Sequence, residues 1–109
     1  MDVTTRQKDS IIILDLVGEL DLYHSDQIRD RIKQHIDSGQ IQIVLNCKDL
    51  TYLDSSGLGA LIWNLQYVRG KKGFIRLVHL GGSPKSVMEL SNAIRLFSVF
   101  NSEEDAVRL

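Results

Sequence analysis

The stretch Tyr52-Leu53-Asp54-Ser55-Ser56-Gly57-Leu58-Gly59-Ala60-Leu61 follows an apolar run of strand length, Ile41 to Leu45, and opens a helical pattern. Leu58, Leu61, Ile62, Leu65 and Val68 fall on one arc at ~100° per residue, which predicts a helix from Ser55 or Ser56 to about Arg69. One carboxylate and two hydroxyls therefore sit at a strand-to-helix turn. Free backbone N–H groups and the positive end of the dipole gather at such a turn, and it can hold or receive a phosphate. Gly57 and Gly59 remove side chains beside the serines, so a large partner can approach closely.

Upstream, Val3 to Gln7 reads as a short edge strand. Ile11-Ile12-Ile13-Leu14-Asp15-Leu16-Val17 is apolar almost throughout, as a strand covered on both faces would be, and Gly18 is expected to end it. Ile28, Ile32 and Ile36 form one stripe of a helix from His24 or Ser25 to about Asp37, with Gly39 as its stop. Downstream, Gly70-Lys71-Lys72-Gly73 is a turn and Phe74 to Leu80 a strand. A third helix should start at Pro84 with Ser83 as its cap, carrying Val87, Met88 and either Leu90 or Ala93 on its inner side. Leu96 to Phe100 reads as a short strand, and Ser102-Glu103-Glu104-Asp105 opens a last helix with acids at its positive end. Strands alternating with helices imply an α/β fold with a mostly parallel sheet and right-handed crossovers. With 109 residues, no linker and no internal repeat, residues 1–109 are expected to form one domain.

Composition narrows the functional classes. A formal net charge of −1 argues against a mainly electrostatic nucleic-acid binder. The single cysteine excludes an internal disulfide and fits a reducing compartment. No signal peptide and no apolar run of membrane-spanning length is visible, so a cytoplasmic domain without membrane contact is expected.

Several enzyme motifs fail on residues. A nucleophile elbow needs glycine two positions before its serine, where Leu53 and Asp54 stand. Gly70-Lys71 lacks both the upstream glycine and the following Ser or Thr of a phosphate-binding loop. Gly57-Leu58-Gly59 starts like a dinucleotide loop, but Ile62 replaces the third glycine. His24, His35 and His79 lie on separate elements and Cys47 has no cysteine partner, so neither metal nor cofactor is expected. No catalytic residue is assigned; a small hydrolase using Ser55 or Ser56 would lack a positioned base.

Asp and Ser before an apolar periodic run are also ordinary helix caps. Two details favour function at this turn. Capping needs one oxygen, whereas Asp54, Ser55 and Ser56 stand in a row. Each of Gly57 and Gly59 costs a helix roughly 1 kcal/mol against alanine. Trp63 and Tyr67 fall with Ser56, and with Gly59 or Ala60, on the side opposite the Leu58/Leu61/Leu65 stripe. That places the only tryptophan where either a partner or another element of the fold would cover it.

Asp54-Ser55-Ser56-Gly57-Leu58-Gly59, together with the upstream Gly18-Glu19-Leu20-Asp21, resembles the phosphorylation loop and second signature of the STAS domain, as in bacterial anti-sigma-factor antagonists. Ile43-Val44-Leu45-Asn46, Gly70-Lys71-Lys72-Gly73 and Ser102-Glu103-Glu104-Asp105-Ala106 fall where that family has comparable segments, so the resemblance spans essentially the whole chain. It implies a mixed, mostly parallel sheet with helices largely packed on one side. It further implies partner switching by a protein that is not itself an enzyme. The unmodified antagonist binds an anti-sigma factor with serine kinase activity and frees the sigma factor. Phosphorylation of the serine after the loop aspartate breaks the complex, and a serine phosphatase resets it. Carried over by position, Ser55 is the phosphoacceptor, Ser56 is its neighbour, and Asp54 and Asp21 line the binding surface; the residue readings of the turn and the helix face add His24, Gly57, Gly59 and Trp63 to the partner-binding surface. Leu22-Tyr23-His24-Ser25 departs from relatives, which commonly have a small residue, Thr or Asn near position 24; His24 would cap the first helix or touch the partner. The alternative within the family is an interaction module of a transporter, a lipid-transport complex or a stress-signalling scaffold, without a phosphate cycle.

Overall fold

The computed structural model describes residues Met1–Leu109. The strands are β1 (Asp2–Lys8), β2 (Ile11–Leu20), β3 (Gln42–Leu53), β4 (Phe74–Val78) and β5 (Ser98–Phe100). The helices are α1 (Ser25–Asp37), α2 (Ser55–Gly70), α3 (Gly82–Leu90) and α4 (Glu103–Ala106), with a 3₁₀ turn over Ala93–Leu96. The sheet runs β1-β2-β3-β4-β5. β1 is antiparallel to β2, and every other pair is parallel. This is the mixed, mostly parallel sheet expected.

The larger core lies on one face of the sheet. There Ile28, Ile32 and Ile36 of α1 and Leu58, Leu61, Leu65 and Val68 of α2 pack on Ile12, Leu14, Leu16, Ile43, Leu45 and Leu77. Met88 of α3 and Ala93 complete it. On the opposite face only α4 packs, its Ala106 closing over Ile11, Ile13, Val44 and Val78. Arg6 ties that face together. Its guanidinium donates to both oxygens of Asp15 (2.7 and 2.8 Å) and to Glu103 at the start of α4 (2.5 and 3.1 Å). The guanidinium holds both carboxyls below their ordinary range.

Five boundaries differ from expectation. Gly18 does not end β2: it takes φ +112° where the register between β2 and β3 shifts, and the strand continues to Leu20. β3 likewise continues past Leu45 to Leu53, directly against the serine turn. β4 stops at Val78 because His79 turns into the left-handed region at φ +58°. The cap of α3 is Gly81 and not Ser83, which lies inside the first turn with Pro84. A left-handed Asn92 ends the α3 segment, buries Ala93 and leaves Leu90 exposed, so β5 begins only at Ser98.

Candidate functional site

The C-terminal ends of β2 and β3 lie side by side, with Leu20 paired to Leu53. The chain after each strand turns into a helix, so the Asp21–His24 and Asp54–Ser56 segments meet at one end of the sheet. Asp54 joins them. Its backbone is extended at φ −110°, the geometry of an N-cap, and Oδ1 accepts from Gly57 N at 2.9 Å. Oδ2 accepts from Leu22 N at 3.1 Å, and the Asp54 N–H donates to Leu20 O at 3.3 Å. One residue thus caps α2 and fixes the neighbouring turn.

Asp21 organises its own turn. Its Oδ1 accepts from Tyr23 N (3.0 Å) and His24 N (3.1 Å). His24 occupies the N-cap position of α1 but makes no side-chain cap bond. Its ring Nδ1 instead lies 2.7 Å from Asp21 Oδ1, at ion-pair distance but outside hydrogen-bond alignment. Asp21 and Asp54 therefore bring two carboxylates to adjacent turns at the head of α2.

Ser55 is the first residue of α2 and is exposed; Ser56 is half-buried. Neither hydroxyl is needed for capping, because Asp54 already serves the Gly57 N–H. The two glycines have different roles. A Cβ on Gly57 would stand 2.3 Å from Leu20 O and 2.7 Å from Leu20 Cγ, so this buried glycine lets α2 close onto the end of β2. A Cβ on Gly59 would meet nothing within 4 Å, and Gly59 alone keeps the exposed face of the first turns bare.

Trp63 continues that face at 38% exposure. Its ring stacks on Tyr67 (centroids 4.9 Å apart, 14° between planes), and the Arg29 guanidinium of α1 lies 5.8 Å from its centroid. Of the two coverings considered for Trp63, the structure holds the one within the fold: α1 shields one side of the ring, and the residue stays part-exposed. Next to it Asn64 is fully buried and donates to Arg29 O at 3.1 Å, binding α2 to α1.

Three residues not singled out from sequence join the surface. Leu22 (66% exposed), Tyr23 (88%) and Tyr52 (44%) flank the serine turn. Two consecutive large apolar residues between a strand and a helix were the available signal, since neither belongs to a buried stripe. Cys47 lies apart. It is buried, and burial pushes its thiol up to about 12, which leaves it protonated and unsuited to nucleophilic chemistry. No helix is long and apolar enough to cross a membrane.

Comparison with known proteins identifies the family. The STAS domain model matches residues 2–106. An anti-sigma F factor antagonist of Paenibacillus polymyxa is 28% identical over 98 residues, covering 89% of this chain and 84% of that protein. The anti-sigma-B factor antagonist of Bacillus subtilis is 27% identical over 100 residues, 91% of this chain and 82% of that protein. The solved structure of the Bacillus cell fate determinant SpoIIAA in its phosphorylated form superposes with a TM-score of 0.74 at 25% identity, covering 98% of this chain and all of that one. With its sequence matched almost end to end and its sheet, helices and serine turn in place, the chain belongs to the STAS domain family.

Proposed function

We propose that this STAS domain is an anti-sigma factor antagonist that works by partner switching, with Ser55 as phosphoacceptor. The unmodified domain binds an anti-sigma factor that is also a serine kinase, and so frees a sigma factor. Phosphorylation of Ser55 ends that binding, and a serine phosphatase restores it. The domain itself catalyses nothing in this cycle. The relatives named as antagonists support the reading.

The observation that carries it is the division of labour at the turn. Asp54 does the structural work, capping α2 and fixing Leu22, while the Ser55 hydroxyl stands exposed with no part in the fold. A kinase can reach it without unfolding anything. Phosphate at Ser55 adds about −1.5 to −2 charges. The helix N-terminus offsets part of that within the domain. A partner surface shaped to a neutral hydroxyl meets the new charge together with Asp54 and Asp21. A loss of about 4 kcal/mol there weakens binding roughly a thousandfold. Around the serine, Asp21, His24, Ser56, Gly59 and Trp63, with Leu22, Tyr23 and Tyr52, would form the docking surface.

Incubation with the cognate kinase and ATP, followed by mass spectrometric mapping, tests the assignment. Phosphate is expected on Ser55, with labelling lost in Ser55→Ala. Undiminished labelling of Ser55→Ala sinks the site.

A further inference from the structure

The two edges of the sheet are unequal. β5 is three residues long, whereas β1 offers seven, all exposed except Val3. No element of the chain covers the outer side of β1, so its outward N–H and C=O groups have no protein partner. Beside it runs an open groove of about 330 Å³ between β1 and α1. Met1, Val3 and Ile28 contribute apolar surface to the groove, and Asp30 and Arg31 of α1 also line it.

The charges along this edge are self-complementary. β1 reads Asp2-Val3-Thr4-Thr5-Arg6-Gln7-Lys8, with an acid at one end and a base at the other. Arg6, the charge nearest its middle, is drawn onto Asp15 and Glu103. An antiparallel pairing of two β1 strands about a two-fold axis at Thr5 sets Asp2 of each copy opposite Lys8 of the other. Thr5 also fixes where α1 meets that axis, because Arg31 Nη2 donates to Thr5 Oγ1 at 2.9 Å. Arg31 therefore lies beside the axis, while Asp30 lies 3.6 Å from Arg29 of its own helix. The charges at the strand ends thus specify the register.

We propose that β1 and the groove beside it bind a second copy of this chain, joining two five-stranded sheets into one across an antiparallel β1–β1 contact. The second copy's α1 closes over the apolar floor of the groove. Because the two β1 strands run antiparallel about the two-fold axis, every strand of one copy is reversed in the other and the two serine turns point to opposite ends of the joined sheet. Each Ser55 stays open, and one dimer can engage two partners.

Sedimentation equilibrium of the full chain over a concentration series, at low ionic strength, tests the contact. A monomer–dimer equilibrium weakened by added salt is expected. Asp2→Lys and Lys8→Asp, each setting like charges opposite in two symmetric places, should each weaken the dimer about tenfold or more. The double variant restores opposite charges and should recover an affinity near wild type. Both positions are exposed, so circular dichroism should show unchanged folding. A single monomeric species at every concentration overturns the proposal and leaves the edge to an extended strand of another protein. A dimer indifferent to Asp2→Lys, or a double variant no tighter than the singles, overturns it as well.

Discussion

The same substitution made two residues apart should move stability in opposite directions. Gly57 and Gly59 both lie in the first turns of α2, and helix propensity alone favours alanine at each by up to about 1 kcal/mol. At Gly59 nothing lies within 4 Å of the added methyl, so Gly59→Ala should realise most of that gain. At Gly57 the methyl would sit 2.3 Å from Leu20 O, about 1 Å inside an ordinary carbon–oxygen contact. Leu20 is fully buried, and its carbonyl accepts the Asp54 N–H, so neither side of the clash is a free side-chain end. Overpacking costs roughly 1–3 kcal/mol and the strained backbone bond about 1 more, leaving Gly57→Ala destabilised by about 2 kcal/mol after the propensity gain. For a domain of this size the two variants should melt about 10 °C apart, with Gly59→Ala above wild type and Gly57→Ala below. Urea unfolding followed by circular dichroism measures both. A second readout separates fold from docking. The Gly59→Ala methyl projects from the proposed docking surface, so this variant should bind the partner more weakly although it is more stable. Gly57→Ala within about 0.5 kcal/mol of wild type would refute the close approach of α2 to β2.

Asp54→Ala should lower stability by about 2 kcal/mol, from loss of the α2 cap and of the bond to Leu22 N; Asp54→Asn, which keeps a capping oxygen, should lose less than half of that in the same urea assay. Asp15 and Glu103 are held below their ordinary pKa values of 3.8 and 4.5 by Arg6. Their contribution is therefore complete above those values and disappears as pH falls through the lower folded ones. The stability gap between wild type and Arg6→Met should be constant near neutrality and shrink below about pH 4; a gap that persists undiminished to pH 2 contradicts the ion-pair account.

Helices were legible wherever one stripe met one sheet. Ile28, Ile32 and Ile36 are all buried, as their spacing requires, and Leu58, Leu61, Leu65 and Val68 likewise. The second half of β3 was not legible, and the reason is specific. Cys47, Leu50 and Leu53 are its buried residues, three apart, because shifts in the β2–β3 register break the alternation of a strand. Such spacing carries no strand signature, and Gly18 reads as a terminator when it in fact supplies the left-handed turn of the irregular ladder. Ser83 reads as a cap by residue type, but the helix begins at Gly82 with Gly81 as its cap, after the left-handed turn at His79. At the site, Asp54 was recognisable as a cap. Its second bond, to Leu22 N, crosses between two strand ends far apart in sequence, and only the pairing of Leu20 with Leu53 brings them together.

For the proposed phosphorylation of Ser55, that second bond supplies a way to alter the surface without disturbing the fold. A switch that acts on binding needs a rigid frame and one group outside it. Asp54 supplies the frame: both carboxylate oxygens and the backbone N–H are engaged, each to a different part of the turns. Gly57 locks the same frame from below against Leu20. Ser55 and Ser56 are then not equivalent. Ser56 is half-buried against the frame, whereas Ser55 projects from its rim with an exposed side chain. A bulky dianion at Ser56 would have to displace neighbouring atoms; at Ser55 it displaces only water. The geometry that makes Ser55 dispensable for folding is the geometry that leaves it open to modification.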